Sequence, residues 1–461
     1  MEFCWLSVRV IMLRTSKIVL QFLVFYFAIY GCAYKGTDIS KCRVFHITSH
    51  DNLKFQLEKI ASTYKSNVVV ELDKGEYYID RQIVLEGVDN FNIFGNNSVV
   101  KMRNDTPVEN YYGMISFKQS ANVTLNKITF DGNRHNRFCK ETAAHTLMII
   151  SSNNFVLNEI ACIDNAVDGI IIYSFNPLDS NYHCKNIFIN NCKIHNSFRN
   201  GISIIEGNGI IISNTEVSGS KGVSPESGVV IESDIDLLPS GIRDIKLNDV
   251  TINNNNGWGI IISQKGQPSN TIINKCKISN SGLGGIWNCS STTSIQSSVF
   301  SYNGDVGIRS VRYEKRYKDF TLIQGNIIKH EKCGIEYLGF GGVIDSNRID
   351  SIEDRAIYLN GWTIDSTTAI LQKNTISNSN KVLIEVNGFT NGFFESNTLE
   401  YSKNIGLRVV NSSINLHNNT FKYMNLAIDA EYTRLGLKSN LFEKCGNKVS
   451  ASNSVKFLYQ N

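Results

Sequence analysis

Thr251-Ile-Asn-Asn-Asn-Asn-Gly-Trp-Gly-Ile-Ile-Ile262 carries the plan of the whole chain. A short β-branched strand runs into an asparagine-rich turn, and the next strand opens on glycine. The phrase recurs as Gly169-Ile-Ile-Ile172, Gly201-Ile-Ser-Ile204, Gly228-Val-Val-Ile231, Gly285-Ile-Trp287 and Gly307-Ile-Arg309. It continues as Gly334-Ile-Glu336, Ala356-Ile-Tyr358, Val382-Leu-Ile384, Gly406-Leu-Arg408 and Ala427-Ile-Asp429, with spacings between 21 and 32 residues. A period of that length, built from strands, is that of a β-solenoid. Leucine-rich repeats need a consensus that is missing here, and propeller blades need about 40 residues or more.

A second column supports the phase. Eight or nine residues before the opening positions stand Cys192, Val250, Cys276, Asn326, Asn347, Asn374, Asn397 and Asn418. Identical amides stacked at a turn can hydrogen-bond along the axis as an asparagine ladder. Composition agrees. Asn and Ile each make up about 12% of the 461 residues, while only 5 are proline. Hydrophobic residues at 42% and a net charge of +4 exclude disorder and give no general reason to expect nucleic acid. Length alone suggests about three domains, but in a solenoid length counts coils.

The N-terminus reads as an address. Ile18–Tyr30 is apolar and follows Arg14 and Lys17, a signal-peptide core too short for a comfortable span. It ends at Ile29-Tyr30-Gly31-Cys32, similar to a lipobox that would make Cys32 a lipidation site. Residues 1–36 are therefore set apart as a signal peptide or a membrane or lipid anchor, and the body is expected to be secreted or envelope-anchored. Residues 37–66 read as an N-terminal segment with a capping helix, and 67–461 as the solenoid. In the capping segment Leu53, Leu57, Ile60 and Tyr64 follow helical spacing behind N-cap candidates Ser49 and Asp51. A helix there would shield the first coil's edge.

These features resemble the pectate-lyase-like right-handed parallel β-helix superfamily over roughly residues 45–445. The resemblance rests on the capping helix, Val69-Val-Glu-Leu-Asp-Lys-Gly-Glu-Tyr-Tyr-Ile79, Ile93-Phe-Gly95, Ile128-Thr-Phe-Asp-Gly132 and the repeats. It implies an all-β, single-stranded right-handed parallel β-helix, and a polysaccharide as partner. Ser224-Pro-Glu-Ser-Gly-Val-Val-Ile-Glu232 is similar to bacterial β-helix segments in which a proline-bearing loop leads to Gly-Ile-Asp-Ile-Glu. Glu232 matches that pattern; Val230 stands where it places an outward Asp.

Strand side chains alternate sides. From each opening residue, positions +1 and +3 point inward, +2 and +4 outward. The outward +2 line runs Ile171, Ser203, Val230, Ile261, Trp287, Arg309, Glu336 and Tyr358, then Arg408 and Asp429. Its apolar half calls for cover by loops or by a partner chain, so an oligomer is one expectation. Insertions at 174–186 and 218–226 could supply the cover or wall a cleft.

Acids gather at both ends of these strands. Asp168, Arg199 and Glu226 stand at the entrance beside Trp258, and Glu206, Glu232 and Asp234 at the exit with Tyr173. With coils about 4.8 Å and residues about 3.3 Å apart, Glu206 and Glu232 lie about 6 Å from each other. That suits paired carboxylates, one a proton donor and one a base; Asp168 and Glu226, about 10 Å apart, mark the upper limit. The closer pair could instead hold Ca²⁺, or be plain loop-tethering acids. Trp258, Trp287 and Trp362 could stack on sugar rings or pack under loops. Arg309-Ser-Val-Arg-Tyr-Glu-Lys-Arg-Tyr-Lys318, with Arg312, reads as a basic loop that could hold an acidic glycan or be merely solvated. The 8 histidines lack metal-binding spacing, and no Cys-x-x-Cys or phosphate loop occurs, so no cofactor beyond the Ca²⁺ option is expected.

The leading expectation is a polysaccharide-active hydrolase, lyase or epimerase. Glu206 and Glu232 are its acid and base, Asp234 and Asp168 further catalytic candidates. Arg199, Trp258, Trp287, Tyr173, Arg309 and Arg312 would bind substrate. The alternative, favoured by Val230 and the apolar stripe, is a non-catalytic glycan-binding, adhesive or structural solenoid.

Overall fold

Three strands make each coil: an opening strand such as Ile170–Tyr173, a second such as Lys185–Asn190 and a third such as Lys193–His195. Each pairs in parallel with its counterparts one coil away, so that Ile170–Ile172 lies between Leu147–Ile149 and Ile202–Ile204. About 15 such turns give a three-faced solenoid. The computed structural model describes residues 41–104, 106, 113–136, 144–235, 241–290, 292–311, 320–339, 341–361 and 368–460. The N-terminal address with Cys32, and also Arg312 and Trp362, lie outside the described residues.

Inward positions hold the solenoid together. Ile170, Ile172, Ile202, Ile204, Ile260 and Ile262 are fully buried and stack coil on coil. Each such side chain stabilises the fold by roughly 1.5–3 kcal/mol. The opening position is small because the next coil crowds it. A Cβ on Gly201 would stand 2.2 Å from Val217 Cγ1 and 2.6 Å from the Gly228 carbonyl oxygen. One coil departs from the repeat read in the sequence. Ile357 pairs with Ile384, so the opening position there is the fully buried Leu383, not Val382. A run of Val-Leu-Ile offers no small residue to mark the phase.

Helix α1 (Leu53–Thr63) covers the first coil with Leu53, Leu57, Ile60 and Ala61 buried. Its N-cap is Asn52, whose side chain accepts from the Phe55 N–H at 3.0 Å, rather than Ser49 or Asp51. Asp51 instead accepts from the Thr48 N–H and hydroxyl. α1 and the coils fall in one unit, Val44–Asn461.

The asparagine ladder is present and longer than the sequence suggests. Asn326, Asn347, Asn374, Asn397 and Asn419 each pass an Nδ2 donor to the Oδ1 of the next, at 2.9–3.1 Å, and the ladder ends on Asn440. The backbone N–H of each donates to that same Oδ1, as from Asn347 to Asn374 at 3.0 Å. Asn419 is the member; Asn418 beside it sits at φ 56 in a turn. That backbone explains the remaining asparagines. Left-handed turn positions such as Asn154, Asn186, Asn254, Asn280 and Asn378 suit Asn better than most residues.

Candidate functional site

Asp168 stands at the corner where the third face turns into the opening face, and it is fully buried. Arg199, one coil on, grips it through Nε to Oδ1 at 2.9 Å and Nη2 to Oδ2 at 2.6 Å. The Asn200 N–H and Ser203 hydroxyl also donate to it, and His145 Nδ1 lies 3.3 Å away. Burial alone would raise the Asp168 pKa, but Arg199 and His145 hold it far below the usual carboxylate range. The arginine end of the pair is partly exposed. Burial works against its charge, while Asp168, with Asp234 and Glu232 further off, holds its pKa up.

The structure thus brings Asp168 and Arg199 together, with Glu232 and Asp234 in their electrostatic surroundings. Glu206 and Glu232 sit in different surroundings. Glu206 is fully buried; Ser233 Oγ donates to its Oε1 at 2.5 Å and the Gly241 N–H to its Oε2 at 2.9 Å. Burial raises its pKa, against the pull of these donors. Glu232 is half-buried, accepting from the Ser263 hydroxyl at 3.3 Å with Lys265 at 3.9 Å, and Asp234 is exposed. Glu226 tethers its loop by accepting from the Gly222 N–H at 2.6 Å.

Further along this face lies an aromatic and cationic patch. Trp258 and Trp287 are 5.8 Å apart, and Arg309 stands over Trp258 at 5.4 Å. Trp258 is buried with Val230 and Ile261, so packing accounts for it. Trp287 is half-buried, and its indole N–H has no hydrogen-bond partner among the described residues. Arg309 lies in the strand Val306–Val311 rather than on a loop, held by Asp305 and Glu336. Tyr173 packs against Met148, Ile150 and Ile171.

The same face then becomes an open cleft of about 730 Å³. Arg355, Lys381 and Arg408 line it with Asp354 and Glu385. Lys381 meets Asp354 at 2.8 Å, and Arg355 lies 3.4 Å from Asp354, 3.6 Å from Glu385 and over the Tyr358 ring at 4.2 Å. Most of this site was hidden by the one-residue slip at Leu383. In the observed register Glu385 joins the outward line of Tyr358 and Arg408, and Lys381 joins Asp305, Lys332 and Asp354 two residues before the openings. The signal was an alternation of Asp and Lys on successive coils.

At 14% identity the fold is similar to that of a mannuronan C-5 epimerase A-module from Azotobacter vinelandii, with 89% of this chain and 96% of that one covered and a TM-score of 0.51. The catalytic domain of a GH87 α-1,3-glucanase is similar at 12% identity, with 91% and 69% covered and a TM-score of 0.46. Tailspike protein 3 of bacteriophage CBA120 is similar at 12%, with 88% and 58% covered and a TM-score of 0.42. No curated protein sequence matches the chain. Two consecutive stretches, residues 178–313 and 314–460, match the family described as right handed beta helix region. That hand is the one parallel strand crossovers almost always take. More than half of the sequence is matched, and the chain belongs to the right-handed β-helix family.

Proposed function

We propose that this protein binds an acidic polysaccharide along its opening face, in the cleft of Arg355, Lys381 and Arg408. The observation that carries the reading is the presentation of three cations on successive coils of a rigid wall. Lys381 and Arg408 keep 71% and 47% of their side chains exposed, free to exchange their protein partners for a ligand carboxylate. Coils repeat at about 4.8 Å, so a polymer laid along the axis meets the same chemistry again and again. Arginine offers a planar fork to a carboxylate, and the cleft holds one more positive than negative charge. The epimerase of similar fold acts, by its name, on mannuronan, which fits this ligand class. An exported location, expected from residues 18–32, fits it too.

Recognition is better supported than turnover. Of the acids expected from the sequence, Glu206 is buried and bonded to Ser233, and Asp168 is locked by Arg199. Calorimetry with polymannuronate, polygalacturonate and glucuronan tests the proposal. Lys381→Ala and Arg408→Ala should each weaken binding about tenfold, as loss of one charge-assisted contact does. Binding that both variants leave unchanged would remove the cleft from the account.

A further inference from the structure

The turn after the third face carries a column in which every residue has left-handed backbone: Asn280, Tyr302, His330, Ser351, Asn378, Tyr401 and Tyr423, at φ 52 to 59. Asn is at home there, whereas a bulky aromatic residue is a marked exception. The aromatic members form two stacks. Tyr302 and His330 lie 4.7 Å apart at 14°, Tyr401 and Tyr423 4.9 Å apart at 1°. Their outer faces are wet, Tyr302 being 59% and Tyr401 49% exposed. Between the stacks only the small polar Ser351 and Asn378 occupy the column, leaving an open hollow of about 560 Å³. Asn380 and Lys403 stand in its wall together with the charged Glu331, Lys332 and Glu353. His330 and Tyr401 are three coils apart, or about 14 Å.

We infer that this corner hollow is a second glycan subsite, taking the uncharged faces of sugar rings. Rings at both ends supply apolar platforms with a polar rim, and the floor supplies amide and hydroxyl groups for sugar hydroxyls. The hollow and the charged cleft share coils: Glu353 lines one and Asp354 the other, as do Asn380 and Lys381, and Lys403 and Asn404. One ligand can therefore set its ring faces on the corner and its carboxylates on the opening face. The inference rests on the reading of the chain as a glycan binder and extends it to ring recognition.

The test uses uronate polysaccharides and the same polymers with their carboxyl groups reduced to alcohols. His330→Asn and Tyr401→Asn remove the rings that line the hollow yet keep a residue that Asn280 and Asn378 of the same column show to be suited to this backbone. The reduced polymer should bind the intact chain, lose about tenfold in affinity with either variant, and be indifferent to Arg408→Ala. Thermal stability of both variants should hold or rise. Failure of the reduced polymer to bind, or binding that both variants leave unchanged, overturns the inference. If the acidic parent still binds through Arg408 in that case, the charged cleft stands without it; if neither polymer binds, both readings fall.

Discussion

Arg199 lays both ends of its guanidinium on the buried carboxylate of Asp168, at 2.9 and 2.6 Å across one coil step. The pair ties the coil of Gly169 to that of Gly201 at the corner, beside the backbone bonds from the Arg199 N–H to the Val167 carbonyl and from the Gly169 N–H to the Asn200 carbonyl. Breaking a buried pair by removing one partner leaves the other uncompensated. Asp168→Asn is expected to lower stability by about 3 kcal/mol, against about 0.5 kcal/mol or less for the half-buried Glu232→Gln. Denaturant unfolding of the two variants measures the contrast. The pH dependence has a definite sign. With its folded pKa depressed, Asp168 stabilises the fold above the unfolded value near 4 and loses that contribution as pH falls below it. Asp168→Asn should flatten that part of the acid-unfolding curve.

The ladder offers a register-specific test, because Asn418 and Asn419 are adjacent and only Asn419 is a rung. Removing the Asn419 side chain strands two buried donors on Asn397, its N–H and its Nδ2. Asn419→Ala should cost about 3 kcal/mol. Asn418→Ala gives up only a favourable left-handed residue, at about 1 kcal/mol. Equal losses in denaturant melts would mean that the ladder does not hold the coils.

Glu206 holds its loop through Ser233 and Gly241. Gln in its place cannot accept from both the Ser233 hydroxyl and the Gly241 N–H with carboxylate oxygens. Glu206→Gln should cost about 2 kcal/mol of stability and leave glycan affinity untouched. A variant as stable as the parent but impaired with polysaccharide would restore the catalytic role expected from sequence.

Glu331 ends a second amide column, accepting from the Asn303 N–H at 3.0 Å and from its Nδ2 at 2.8 Å. Burial pushes its pKa up to about 8, against the pull of both Asn303 donors. A raised folded pKa stabilises below the unfolded value near 4.3, and the contribution is lost as pH rises through about 8. Stability of the parent should therefore decline between those limits. Glu331→Gln, whose single oxygen can take both donors as Asn347 takes those of Asn326, should lack the decline. Melting temperatures of both proteins across this range decide it.

The fold was legible because close packing leaves a mark at every turn. A Cβ at Gly201 has no room, inward positions demand β-branched side chains, and left-handed turns draw asparagine. Legibility ended where two neighbours were chemically alike. Val382 and Leu383 are both apolar, and Asn418 and Asn419 are the same residue, so only pairing fixes the phase. The site suffered more than the fold from such slips. One residue of register hides Lys381 and Glu385, and the hydrogen bonds that bury Glu206 leave no mark in the spacing. The depth of burial that locks Asp168 to Arg199 likewise comes from the third dimension.

The central claim is that cations on the opening face hold the carboxylates of a polysaccharide. Its most direct test is the affinity of the intact chain for a uronate polymer beside the same polymer after carboxyl reduction. The account predicts that the acidic form binds at least about tenfold more tightly, that the advantage shrinks as salt is raised, and that Lys381→Ala with Arg408→Ala abolishes it. Equal affinity for both forms, or an advantage that survives loss of both cations, would contradict it.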